Sequence, residues 1–139
     1  MQNVINKVQQ SNQTQQFSRG EIWLVDLGEG KGSIQGKLRP CIIVSNNMAN
    51  RYSPVVHICP ISSIGTKSKL PTHIRINKNS SGLLRDSIAL CEQVMLVNKN
   101  KDIFLNKVGY CNSETMEHIN QGILIQFSIG QKDKNIVYA

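Results

Sequence analysis

Short apolar runs separated by polar loops dominate the chain between residues 21 and 97. The runs at 21–27, 41–45, 55–61 and 87–91, and the alternating segment 72–76, have the length and composition of β-strands. Residues 94–97 predict a further strand or a short turn. Helical spacing of apolar residues is strong only near the end, between residues 116 and 127, after a suitable N-cap at Ser113.

This pattern predicts five to seven short strands followed by one C-terminal helix. We therefore expect a mainly β protein, built as a small β-barrel with a helical appendage. A parallel α/β fold is disfavoured, because helices do not alternate with strands. Residues 28–37 contain four glycines in ten positions, which predicts a long mobile loop. Residues 46–51 are interpreted as a polar connection with a single helical turn, and residues 98–106 as a basic loop.

The length of 139 residues suits one domain, which we place at 18–130. Residues 1–17 hold six Gln, three Asn and one charge, which predicts an extension outside the folded domain, disordered or weakly helical when free. Residues 131–139 form a polar tail. No apolar run approaches the ~20 residues of a membrane helix. The N-terminus also lacks the apolar stretch of a secretory signal, so we expect a cytoplasmic protein without membrane contact.

The positive charge is concentrated in the middle of the chain. Between residues 31 and 107 there are 12 basic and three acidic residues, whereas the remainder holds four basic and six acidic ones. A field of this kind suits a polyanionic partner such as a nucleic acid. A surface tuned for solubility would give the same composition.

The cysteines and histidines do not predict a metal or redox site. The four cysteines lack a Cys-x-x-Cys pair and are interpreted as small buried hydrophobes. His57 lies in an apolar run and is expected in the core, and His73 lies on the alternating strand and is expected to be exposed. Neither a phosphate-binding nor a dinucleotide-binding glycine motif is found. Asp86 and Glu92 allow a carboxylate pair, although nothing else supports a glycosidase.

The remaining candidate chemistry is cationic. Arg39 precedes Pro40, which favours an extended backbone, and it stands between the glycine-rich loop and a buried strand. A guanidinium at such a junction suits phosphate binding, although a surface ion pair is the commoner role of a single arginine. Ser62 and Ser63 follow a buried strand, where hydroxyl groups serve either function or turn formation.

Several longer motifs point to one family. The motifs are Arg-Gly-Glu-Ile-Trp from residue 19, Gln-Gly-x-x-Arg-Pro from residue 35 and Leu-Pro-Thr-His from residue 70. Their order and spacing resemble the MazF/PemK family of toxin endoribonucleases over residues 19 to about 129. The resemblance implies an SH3-like β-barrel with a C-terminal helix.

The resemblance also implies an activity. Members of this family cut single-stranded RNA at short sequences without a metal or cofactor. The RNA 2′-hydroxyl attacks the adjacent phosphate and leaves a 2′,3′-cyclic phosphate and a 5′-hydroxyl. The same fold occurs in toxins that inhibit DNA gyrase, so a non-catalytic inhibitor and a weakened nucleic-acid-binding relative are the alternatives.

Carried over position by position, the family's catalytic residues fall on Arg39, Ser62 and Glu92. The family usually has Thr where this chain has Ser62. Glu92 matches the acidic member of an Arg–acid pair found in some relatives, but Leu90 stands at the Arg position. Residues expected to contact RNA, from the resemblance or from their charge, are Ser33, Gln35, Lys37, Arg51, Lys67 and Lys69.

The resemblance further implies partners. They are single-stranded RNA, a cognate antitoxin, a second copy of the chain, and promoter DNA reached only through the antitoxin complex. The antitoxin's disordered segment is expected to compete with RNA for a basic groove.

Overall fold

The computed structural model describes residues 16–65 and 69–130. The described part contains seven β-strands, two α-helices and two 3₁₀ turns. The strands are β1 (Glu21–Asp26), β2 (Leu38–Ile43), β3 (Val55–Ser63), β4 (His73–Ile76), β5 (Ser87–Leu90), β6 (Met95–Asn98) and β7 (Phe104–Tyr110). The helices are α1 (Asn47–Tyr52) and α2 (Ser113–Gln126), and the 3₁₀ turns are Lys78–Ser80 and Cys91–Gln93.

All strand pairs are antiparallel, in the order β4-β5-β3-β2-β1-β7, with β6 also paired to β3. The predicted mainly β fold with a C-terminal helix is confirmed. Among the described strands no ladder joins β4 to β7, so the sheet is open rather than a fully hydrogen-bonded barrel. The loop after β4 lies against β7 at this gap, where the Tyr110 N–H donates to the Ser81 carbonyl at 3.2 Å.

β3 is the strand at which the sheet divides. Its first half pairs with β6, from Val55 to Ile58, and its last three residues pair with β5. Pro60 lies between the two partners and is opposite Cys41 at the end of the β2–β3 ladder. Proline has no N–H to donate, and it marks the point where β2 and β3 separate.

Helix α2 covers one of two apolar clusters. Ile119 on its inner face is fully buried, and Gly122 lies against β4 and the 91–93 turn. A methyl group on Gly122 would come within 3.0 Å of the Cys91 sulfur, so the glycine that weakens the helix permits its close approach. Arg19 also ties the helix to the sheet, because its guanidinium donates to the Val44 carbonyl at 2.9 Å and to Asn120 Oδ1 at 2.6 Å.

The second cluster lies under three aromatic rings. Phe17 packs 4.8 Å from the Trp23 ring and 4.6 Å from the Phe104 ring, measured between centroids. Phe17 is only 5% exposed. The packed domain therefore begins at least one residue before the boundary expected from the sequence. Residues 1–15 and 131–139, which carry most of the predicted extension and tail, lie outside the described residues.

The sequence pattern missed β7. Residues 98–106 were expected to form a basic loop, but the strand begins at Phe104. β7 lies at the end of the strand order, and only Phe104 among its residues is buried. An edge strand with one buried side chain has no clear alternation for a pattern to detect. The short helix α1 agrees with the predicted helical turn at 46–51.

All four cysteines are buried free thiols, which confirms the interpretation of these residues as small hydrophobes. Burial raises the pKa of the Cys41 thiol to about 12, although the nearby Arg39 opposes the shift. Burial likewise raises the pKa of Cys111 to about 12. These thiols stay protonated near neutral pH and are poor nucleophiles.

The burial of Phe17 predicts that this residue stabilises the domain. Phe17→Ala is expected to lower the free energy of unfolding by about 3 kcal/mol, because it opens a cavity between two aromatic rings. Chemical denaturation of the full chain measures the effect. Phe127→Ala is the matched control, since the Phe127 side chain is 56% exposed and should change stability little. Equal effects of the two substitutions would contradict the packing described here.

Candidate functional site

A cleft of about 650 Å³ lies between the glycine-rich loop and residues of β4 and β5. One wall is the glycine-rich loop, from residue 30 to residue 37. The opposite wall is formed by Leu70, His73, Leu90, Glu92 and Gln93, and Arg39 also lines the cleft. The strand order brings these segments together, because β2 and β5 flank β3 and β4 continues from β5.

The Arg39 guanidinium is held by two backbone carbonyls. Its Nε donates to Gly36 at 3.0 Å and its Nη1 donates to Ile61 at 3.2 Å. Extending the β2–β3 register places Pro40 opposite Ile61, and proline cannot supply the strand hydrogen bond. The arginine therefore satisfies a carbonyl at the division of the sheet, and this contact fixes the guanidinium at the cleft.

The glycine-rich loop folds back on itself. At its base the Leu27 N–H donates to the Lys37 carbonyl at 2.9 Å, and the Lys37 N–H donates to the Gly28 carbonyl. A methyl group on Gly36 would overlap the backbone of Gly30, so only glycine allows the two segments to cross here. The loop is therefore compact, and it forms one wall of the cleft.

The sequence reasoning missed Gln93, which reaches across the cleft to this loop. The Gln93 Oε1 accepts a hydrogen bond from the Gln35 N–H at 2.8 Å, and its Nε2 donates to the Ser33 carbonyl at 2.9 Å. No local pattern marks a glutamine that bonds backbone about 60 residues away. Its position directly after the candidate Glu92 is the only hint in the sequence.

The structure also corrects the expectations for two histidines. His57 is exposed, not buried in the core. His73, expected to be exposed, has a side chain only 10% exposed, and its Nε2 lies 2.5 Å from Glu92 Oε2. His73 is opposite Leu90 in the β4–β5 ladder, and the turn that follows brings Glu92 back towards it. The cleft therefore contains a histidine–carboxylate pair as well as Arg39.

Ser62 is half-buried and is not among the residues that line the cleft in the described part of the chain. Extending the register of Cys41 with Pro60 by two residues places Ser62 opposite Arg39. Opposite residues in an antiparallel pair project to the same face. Ser62 pairs with Ile88 of β5 and directly follows Ile61, whose carbonyl binds Arg39.

The expected RNA-contact residues divide into two groups. Ser33, Gln35 and Lys37 line the cleft. Arg51 does not line it; it lies on α1 with its guanidinium 5.8 Å from the Tyr52 ring centroid. Lys69 is exposed next to Leu70 of the cleft, and Lys67 lies outside the described residues.

The carboxylate pair considered for a glycosidase is not assembled. Asp86 pairs with Arg75 at 3.3 Å and accepts from the Lys78 N–H, and it is not part of the cleft wall that holds Glu92. Within residues 16–65 and 69–130, no three His, Cys, Asp or Glu side chains cluster as a metal site requires. Nor does any helix in these residues have the length and apolar character needed to cross a membrane.

Residues 18–127 match the model of the family described as PemK-like, MazF-like toxin of type II toxin–antitoxin systems. The chain belongs to this family. It is also 36% identical over 111 residues to Endoribonuclease MazF of Staphylococcus saprophyticus, an alignment that covers 80% of this chain and 91% of the relative.

Solved structures of the PemK/MazF type share the fold. A mycobacterial endoribonuclease in complex with its cognate antitoxin superposes with a TM-score of 0.68 at 23% identity, covering 83% of this chain and 98% of that one. MazF from Deinococcus radiodurans gives a TM-score of 0.67 at 12% identity, covering 82% and 98%. The open seven-stranded sheet with its terminal helix is therefore a PemK/MazF fold.

The His73–Glu92 contact of this family member predicts a protected imidazole N–H. Hydrogen bonding to the carboxylate should slow exchange of the ring proton with solvent, so NMR of ¹⁵N-labelled protein should detect it for His73. His57 and His118 are exposed and serve as internal controls without such a signal. Glu92→Ala should abolish the His73 signal. A signal that persists in this variant would contradict the pairing.

Proposed function

We propose that this protein is a metal-independent endoribonuclease that cleaves single-stranded RNA, the toxin of a type II toxin–antitoxin pair. The observation that carries the proposal is the presence of the Arg39 guanidinium and the His73–Glu92 pair in one cleft of about 650 Å³. The 36% identical relative named as an endoribonuclease supports the same activity. Glu92 is a candidate catalytic residue from the sequence, and the proposal adds its partner His73 to the catalytic residues.

The reaction needs a proton acceptor and a stabiliser of negative charge. In the proposed reaction the RNA 2′-hydroxyl loses its proton to the His73–Glu92 pair and attacks the neighbouring phosphorus. The bond to the 5′-oxygen breaks and that oxygen takes a proton from water, which leaves a 2′,3′-cyclic phosphate and a 5′-hydroxyl. Imidazole, oriented here by a carboxylate, is the side chain most often used for such proton transfers.

Arg39 stabilises the charge that develops on the non-bridging phosphate oxygens. A guanidinium keeps its protons and is preorganised by its contacts with the Gly36 and Ile61 carbonyls, so it need not reorganise during the reaction. Two of its five N–H donors are used in these contacts, and the others are available for a phosphate. Ser62, opposite Arg39 in the extended register, supplies a hydroxyl donor to the scissile phosphate.

The cleft walls suit RNA and a competing antitoxin segment. Lys37 adds positive charge, and Ser33 and Gln35 provide polar groups along the loop. Ile34 and Leu70 line the same cleft and are 60% and 46% exposed, which would let them pack against bases or against apolar side chains of an antitoxin. The shared fold with an endoribonuclease bound to its cognate antitoxin supports such a partner. Co-purification with the product of a neighbouring small gene tests it.

We also propose that the chain forms a homodimer in the cytoplasm, as its resemblance to the family implies, and that it reaches promoter DNA only within the antitoxin complex. Light scattering at micromolar concentration should give about twice the monomer mass of 15.5 kDa. A monomeric mass would count against the dimer without affecting the assignment of the cleft.

The activity is tested by incubating the purified protein with a long single-stranded RNA in EDTA. We expect discrete fragments with 5′-hydroxyl and cyclic phosphate ends, since the cleft supplies its own cation and proton acceptor. Arg39→Ala is the negative control, and Arg75→Ala is a matched arginine substitution outside the cleft. Intact RNA, or equal cleavage by Arg39→Ala, would overturn the proposal.

Variants of Arg39 and Ser62 are expected to affect RNA cleavage to different extents. Arg39→Ala should slow single-turnover cleavage by about 10²–10³-fold, because a preorganised charge donor is lost. Arg39→Lys should rescue only part of the rate, since an ammonium cannot bond two carbonyls and a phosphate in one plane. Ser62→Ala should also slow cleavage, and Ser62→Thr should retain or raise the rate, because its β-branch restricts χ1.

Circular dichroism serves as the folding control for these four variants. A folded Ser62→Ala variant with the wild-type rate would remove Ser62 from the proposed mechanism, and the role of Arg39 would stand or fall separately.

A further inference from the structure

The carboxamide of Gln93 uses both of its ends on the backbone of the glycine-rich loop. Its oxygen accepts from the Gln35 N–H at 2.8 Å and its nitrogen donates to the Ser33 carbonyl at 2.9 Å. Gln93 lies in the 91–93 turn on the opposite wall of the cleft. Two hydrogen bonds from one planar group fix both the distance and the angle of the loop relative to that wall.

The restraint continues from the loop to Arg39. Gly36 follows Gln35 directly, and its carbonyl accepts the hydrogen bond from Arg39 Nε at 3.0 Å. The backbones of Gly30 and Gly36 touch. The loop base is closed by two backbone hydrogen bonds, from the Leu27 N–H to Lys37 and from the Lys37 N–H to Gly28. Because the loop is compact, holding residues 33–35 also sets the position of the Gly36 carbonyl.

A loop with four glycines in ten residues needs such a restraint. Glycine loses more conformational freedom on ordering than any other residue, so contacts within the loop compete with a large entropy cost. The hydrogen bonds at the loop base and the contact between Gly30 and Gly36 join residues within the loop or next to it. The Gln93 contacts join residues 58 and 60 positions apart and anchor the loop to the wall that carries His73 and Glu92.

We infer that Gln93 is a positioning residue: its carboxamide holds the glycine-rich loop so that the Gly36 carbonyl orients the Arg39 guanidinium towards the scissile phosphate. The effect on the reaction rests on the proposed function. The effect on the loop does not, because it is measured without RNA.

The first experiment is amide and guanidinium hydrogen exchange by NMR on the full chain. Gln93→Met keeps the length of the side chain and removes both hydrogen bonds. The Gln35 amide should then exchange about fivefold faster or more, which is the effect of one lost hydrogen bond. The Arg39 Nε–H should also exchange faster, because its acceptor Gly36 is released. Gln121→Met, the same substitution at an exposed position on α2, should leave both rates unchanged.

A second variant separates the two hydrogen bonds of the carboxamide. Gln93→Glu retains an acceptor for the Gln35 N–H but places a carboxylate oxygen against the Ser33 carbonyl. Gln35 exchange in this variant should lie between those of the wild type and Gln93→Met. Unchanged exchange of Gln35 or of Arg39 Nε–H in folded Gln93→Met would overturn the inference.

The second experiment measures catalysis. The cleavage site of the wild type is mapped on a long RNA, and an oligonucleotide containing it is used in single-turnover assays. Gln93→Met should lower the rate at saturating RNA by about tenfold or more, because a small displacement of a catalytic group is costly. Gln121→Met should cleave at the wild-type rate. Faster loop exchange with an unchanged saturating rate would overturn the positioning role.

The failures of the two proposals are distinguishable. If the wild type does not cleave RNA, the proposed function fails, and the exchange rates still decide whether Gln93 holds the loop and Arg39. If the wild type cleaves and the exchange rates do not respond to Gln93→Met, the endoribonuclease stands and the inference about Gln93 falls.

Discussion

The hydrogen bond from Arg39 to the Ile61 carbonyl links the fold of this toxin-family domain to its candidate chemistry. The β2–β3 ladder ends at Cys41 and Pro60, and Pro40 cannot donate to the next carbonyl along β3. A buried backbone carbonyl without a donor is costly, so a side chain must replace the missing N–H. The arginine that does so also lines the cleft.

This arrangement makes one set of contacts serve two purposes. The separation of β2 and β3 leaves the Ile61 carbonyl without a strand partner, and the arginine that satisfies this carbonyl also gives the cleft a positive charge. The second contact of Arg39, with Gly36, couples the guanidinium to the loop that covers the cleft. The position of the Arg39 guanidinium therefore depends on the glycine-rich loop. The position of that loop depends in turn on Gln93 in the opposite wall.

Much of the fold could be predicted from the sequence, because most strands bury one face and show the corresponding apolar runs. β7 could not, since it is an edge strand with Phe104 as its only buried residue. Phe17 was also hidden, because it is a single aromatic residue at the end of a polar segment and its partner Phe104 is distant in sequence. Signals of this kind depend on tertiary packing rather than on local pattern.

The sequence predicts the site residues that belong to a recognisable motif. It does not predict the residues that strand pairing brings together. Arg39 stands out beside Pro40, but the pairing of His73 with Glu92 spans 19 positions and depends on the β4–β5 ladder. Alternation indicates which face of a strand a residue occupies. It does not indicate that another segment will cover that face, which is why His73 was expected to be exposed and is not.

The surroundings of Glu92 support the assignment of His73 to the candidate site. In the proposed function the cleft receives a polyanion, and a carboxylate on the cleft wall repels that substrate. Its Oε1 is buried and receives no hydrogen bond from the described residues, while its Oε2 contacts His73. Its contact with His73 holds the imidazole on the same cleft wall, and this pair supplies the proton acceptor of the proposed reaction.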